Sequence, residues 1–109
     1  MEKSSKRLGD VDTSVMAVLA DGDRHGYAIL TEVRALTDGS IRLGTGTLYG
    51  ALERLQDHGW VVAAAQEVVD GRTRRYYRLT HAGRTALTTE LQRRDEMVAA
   101  ARRRLAGST

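Results

Sequence analysis

Apolar residues recur at helical spacing three times in the first half of the chain. In DVDTSVMAVLADG, Val15, Val18 and Leu19 form one stripe; Asp12 or Thr13 is the expected N-cap and Gly22 the stop. In RHGYAILTEVRALTDG, Ile29, Val33 and Leu36 fall at i, i+4 and i+7, which predicts a second helix closed by Gly39. The segment SIRL links it to the clearest pattern. There Leu48, Leu52 and Leu55, with Ala51, line one face of a third helix, while Thr47, Gly50, Arg54 and Asp57 line the other. Thr45 is its expected N-cap and Gly59 its stop. Three short helices with tight connections predict a helix-turn-helix core.

Beyond Trp60 the pattern turns extended. VVAAAQEVV and TRRYYRLT flank Asp70-Gly71-Arg72, and Asp-Gly is a strong hairpin signal. The alanines weaken the first strand. In the second, Tyr76 and Tyr77 must face opposite sides, and the pattern leaves open which faces inward. A hairpin directly after a helix-turn-helix is a wing. From Thr80, the expected N-cap, a long helix runs to Leu105. Leu91, Val98 and Leu105 repeat every seven residues, Leu87 and Ala101 lie on the adjoining line, and Arg94 interrupts it. Such a repeat, on a helix too long to pack wholly on a small domain, predicts a helix–helix seam. The expected class is mainly α with a small β-hairpin wing. A basic, disordered arm spans 1–10, a winged helix-turn-helix 11–79, a dimerisation helix 80–106 and a tail 107–109.

Composition narrows the chemistry. A chain of 109 residues is one domain, and its 41% hydrophobic content supports only a small core, so a second copy would add stability. Cysteine is absent, which removes disulfides, thiolate nucleophiles and zinc–thiolate sites and fits a cytoplasmic location. The first ten residues lack the apolar run of a signal peptide, and no stretch is apolar enough to span a bilayer. Net charge is only +3, but from Gly71 onward ten arginines stand against Glu90, Asp95 and Glu96. Guanidinium groups suit bidentate phosphate contacts.

Three segments, HGYAIL (25–30), GTLYGALERLQDHGWV (46–61) and GRTRRYYRLTHAGRTAL (71–87), resemble in order and spacing the signatures of PadR-type transcriptional regulators. The resemblance covers most of 11–87. It implies a winged helix-turn-helix bound to double-stranded operator DNA as a homodimer, joined through the C-terminal helix. The short C-terminal part is similar to the small subfamily with one such helix. The chain departs from the family in having no proline: Gly50 stands where proline usually follows Leu-Tyr, and GDRHGY lacks the proline common before His-Gly-Tyr.

Within that fold the N-terminal turn of the third helix meets base edges and phosphates. Thr45, Thr47 and Tyr49 supply hydroxyls there, and Gly44 and Gly46 allow close approach of the backbone. Arg54 lies further along the polar face, where Glu53 or Asp57 are its competing partners. Arg72, Arg74 and Arg75 surround the wing tip and are expected on the DNA backbone or in a minor groove. Trp60 has two readings. One is a ligand-stacking residue, since some small relatives hold flat aromatic drugs at the dimer centre; the favoured one is a core anchor between helix and wing. A sensor that binds an aromatic or drug-like effector at the dimer interface, with DNA release as readout, is thus the alternative to a plain repressor. His25, His58 and His81 show no metal-ligand spacing, no serine sits in a nucleophile context, and GTGTLYG lacks the lysine and preceding strand of a nucleotide loop. No cofactor and no catalytic residue are expected.

Overall fold

The computed structural model describes residues 7–108. Helix α1 spans Asp10–Val18, strand β1 Arg24–His25, α2 Gly26–Leu36, α3 Thr45–Asp57, β2 Val61–Val69, β3 Arg72–Leu79 and α4 His81–Gly107. The apolar stripes of the first three helices meet in one core, apart from Leu36, which was expected on the α2 stripe but is 60% exposed. Val15 and Met16 from α1, Ile29 and Val33 from α2, and Leu48, Leu52 and Leu55 from α3 are all fully buried. Val61, Tyr77 and Leu79 from the sheet and Leu87 from α4 close this core from the other side.

The wing is an antiparallel sheet in the order β1-β3-β2. Asp70 and Gly71 both have positive φ, 53° and 75°, as a two-residue hairpin turn of the type favoured by strand twist requires. Ala63 pairs with Tyr77 and Gln66 with Arg75, so Ala64 and Ala65 together face Tyr76. That extra residue is a β-bulge, and it falls on the run of alanines. Tyr77 is the inward tyrosine; the Tyr76 hydroxyl donates outward to Glu67 at 2.6 Å. Strand β1, set against Tyr76 and Tyr77, has no counterpart in the hydrophobic pattern, because two residues carry no period.

Several boundaries differ from expectation. Helix α1 begins at Asp10 on Gly9, without a side-chain cap. Thr13 instead donates to the Gly9 carbonyl, and Asp12 is held by Arg54. Likewise α3 is capped by Gly44 alone, so Thr45 is its first helical residue. Thr80 does cap α4, accepting from the Gly83 amide and donating to the Gly59 carbonyl.

Residues 1–6 of the expected arm lie outside the described residues. Residues 7–10 of that arm are held against the domain: Leu8 is in the core and Arg7 grips α4. The joint is Glu90, buried at 1% exposure. Its carboxylate accepts from Arg7 Nε and Nη2, the Leu8 amide and Arg94 Nε. The Arg7 contact foremost, helped by Leu8 and Arg94, outweighs desolvation and holds the Glu90 carboxyl at about 2. Arg94, which breaks the apolar line of α4, reaches Asp10, the Leu8 carbonyl and Thr13 from that same joint.

Candidate nucleic-acid interface

The N-terminus of α3 is open. Because Gly44 offers no capping side chain, the helix's first amides are left for an outside acceptor, and the positive end of the helix dipole faces the same way. Thr45, Gly46 and Thr47 are all exposed there. A Cβ on Gly44 or Gly46 would meet nothing within 4 Å, so no contact inside the protein calls for glycine at either position. The same holds for Gly50, where a Cβ would make only an ordinary 3.7 Å contact with Arg54. Tyr49 is turned toward α2. Its hydroxyl lies over Gly26, where a Cβ would come within 2.5 Å of it. The glycine of the His-Gly-Tyr segment thus makes room for a brace between α2 and α3.

Next to this turn, the wing and the start of α2 enclose an open groove of about 780 Å³. His25, Tyr27 and Tyr49 line one side, and Arg72, Arg74 and Arg75, with Asp70 at the turn, line the other. His25 is fixed in place: its Nδ1 accepts from the Ala28 amide as the α2 cap, and its ring meets Tyr76 edge-on. The three wing arginines make no ion pair with any described residue. Arg7, Arg24, Arg54, Arg78 and Arg94, by contrast, are each bound to a carboxylate at 2.8–3.0 Å.

Arg54, expected on the DNA-facing side, is exposed but already paired within the fold. Its guanidinium is committed to Asp12 at 2.8 Å, not to Glu53 or Asp57, and ties α3 to α1. Trp60 stacks on His58 with ring centroids 4.5 Å apart, and is half-buried against the core. Its carbonyl accepts from the Thr80 amide, so its contacts are those of an anchor between α3, the wing and α4. The expected seam on α4 loses Leu87, which packs into the core of its own protomer at 6% exposure. Leu91, Val98, Ala101 and Leu105 stay exposed, joined by Met97 at 62%.

Arg34 and Arg42, which the sequence reading does not single out, likewise make no ion pair with a described residue. The alternation Ile41-Arg42-Leu43, inward–outward–inward, was the available signal.

Comparison with known proteins agrees with this architecture. Residues 15–89 match the family described as the transcriptional regulator PadR-like family. A transcriptional regulator of Mycobacterium tuberculosis is 44% identical over 78 residues, covering 72% of this chain and 69% of that protein. The crystal structure of a PadR family transcription regulator from Clostridium difficile superposes with a TM-score of 0.75 at 28% identity, covering 89% of this chain and 99% of the other. Bacillus subtilis PadR in complex with operator DNA shares the fold, with a TM-score of 0.67 at 19% identity over 75% of this chain and 46% of that one. With its helix-turn-helix and arginine-lined wing inside the match over residues 15–89, followed by a long final helix, this chain is a member of the PadR-like family of winged helix-turn-helix, DNA-binding transcriptional regulators.

Proposed function

We propose that the protein is a homodimeric repressor that binds an inverted-repeat operator, each protomer setting α3 in a major groove and its wing on the adjacent backbone. The observation that carries this reading is the groove beside the α3 N-terminus, where Arg72, Arg74 and Arg75 stand without a carboxylate partner among the described residues. Thr45 and Thr47, with the uncapped amides behind them, supply donors to phosphates or bases. Two copies joined along Leu91, Val98, Ala101 and Leu105 would present two such units related by a two-fold axis. Half-sites about one helical turn apart, or a multiple of it, follow from that symmetry.

The test is a gel shift with the DNA upstream of the protein's own coding sequence. The wild type is expected to shift it at low salt, and Arg72→Ala with Arg74→Ala to abolish the shift. A wild type that fails to shift, or a double variant that shifts as well, refutes the reading. For the seam, Leu91→Asp or Val98→Asp is expected to sediment as a monomer; a variant that stays dimeric puts the seam on another face.

A further inference from the structure

The basic surface does not end at the wing. Tyr27, 75% exposed, lines the wing groove and also a second hollow that runs along α2 between Tyr27, Thr31, Arg34 and Arg42. This hollow continues toward Asp38 and Gly39, with Thr31, Arg34 and Arg42 lining both parts. Along the helix Tyr27, Thr31 and Arg34 follow at i, i+4 and i+7, one face of α2.

Arg42 reaches the same trough from a loop that cannot easily shift. The Thr37 hydroxyl donates to the Val33 carbonyl at 2.8 Å and accepts from the Ile41 amide at 3.1 Å. Asp38 and Gly39, with φ of 53° and 80°, reverse the chain, and the Gly39 amide closes back on the Arg34 carbonyl at 2.8 Å. Ile41 and Leu43 pack against the core on either side of the exposed Arg42. Neither Arg34 nor Arg42 makes an ion pair with a described residue, although Asp38 lies in the trough.

We propose that Arg34 and Arg42 form a second backbone clamp, which grips a DNA phosphate along α2 while the wing arginines grip another. The inference rests on the DNA-binding mode described under Proposed function. Three features support it. Two guanidinium groups from separate elements converge on one trough, and a phosphate accepts bidentate bonds from both. The trough is continuous with the wing groove through Tyr27. The first helix of a helix-turn-helix also crosses the backbone when the second enters the groove. With an anchor on each element, α3 is fixed in register. Asp38 is the one opposing charge and sets a ceiling on affinity.

The clamp is tested by fluorescence anisotropy on a short duplex of random sequence across a salt series, since phosphate contacts act without sequence preference. Arg34→Gln with Arg42→Gln is expected to weaken binding at least tenfold at low salt and to flatten the log–log salt slope by about one per arginine in each bound protomer. Asp38→Asn, which keeps a residue tolerant of positive φ, is expected to tighten binding about twofold. Melting temperatures of all variants should match the wild type, because these side chains are exposed and unpaired. Ethylation interference should show that the phosphates lost in this double variant differ from those lost in Arg72→Gln with Arg74→Gln. If the wing variant weakens binding and the Arg34/Arg42 variant keeps wild-type affinity and slope, the clamp is wrong and the DNA-binding mode stands. If the wild type itself does not bind, both fall.

Discussion

The joint between the N-terminal segment and α4 and the groove beneath the wing are both built from arginine, yet they do opposite work. At the joint, Arg7 and Arg94 close on the buried Glu90 and sew Leu8 and α1 to the last helix. At the wing, Arg72, Arg74 and Arg75 pair with no carboxylate among the described residues and line open space. A paired guanidinium has already exchanged water for a partner within the fold, so it contributes to folding and has little left for phosphate. An unpaired one contributes nothing to folding and keeps its full charge for a polyanion. Arginine count therefore says little about DNA binding in this chain, and the placement of its carboxylates says much more.

Glu90→Gln presses hardest on that contrast. Removing one side of a buried ionic network is strongly destabilising, but Arg7 and Arg94 are partly solvated, which moderates the loss. A fall of about 2 kcal/mol, or roughly 10 °C in melting temperature, is expected, with DNA affinity unchanged well below the transition. Acid gives the sign independently. Because the folded pKa is lowered from 4.5 to about 2, the Glu90 contribution is complete above the unfolded value and fades as pH falls toward 2. Urea midpoints should drop more steeply on acidification for the wild type than for Glu90→Gln; parallel curves would remove Glu90 from the joint's energetics.

Gly46→Ala is a smaller probe of the open end. With nothing near its Cβ, alanine should raise stability by up to about 0.5 kcal/mol. If the backbone there approaches phosphate, the same change weakens DNA binding by about 1 kcal/mol, roughly fivefold. A variant that gains stability and loses no affinity would mean that glycine serves no docking role at this position. Arg54→Ala should do least: an exposed pair with Asp12 is worth at most about 0.5 kcal/mol, and the salt dependence of DNA binding should not move. A flatter salt slope would place Arg54 on the DNA despite its pairing with Asp12.

The helices, the hairpin and its Asp-Gly turn were legible because each leaves a local trace: a period, a cap or a turn pair. What escaped is non-local or too short to carry a period. Glu90 looks like any surface charge on a helix until Arg7, 83 residues away, folds onto it. Arg54 has Glu53 and Asp57 beside it in sequence but bonds to Asp12, 42 residues back. Leu87 shares the line of Ala101 on α4, yet it lies over the domain, where the helix still packs on its own core. Glycine caps at Gly9 and Gly44 leave no side-chain signature, so both helix starts read late. The wing arginines and Thr47 could be named from sequence; that the former lack partners could not.

The central claim is that partner-free arginines, and not overall basic charge, read the DNA backbone. Two triple variants isolate it, since each removes three positive charges: Arg72, Arg74 and Arg75 to Gln, against Arg24, Arg54 and Arg78 to Gln. The measurement is the salt dependence of affinity for one DNA duplex. The wing triple is expected to flatten the log–log slope by about three per protomer at an unchanged melting temperature. The paired triple is expected to keep the wild-type slope and melt at a lower temperature. Equal flattening by both triples would show that net charge governs binding and would contradict the account.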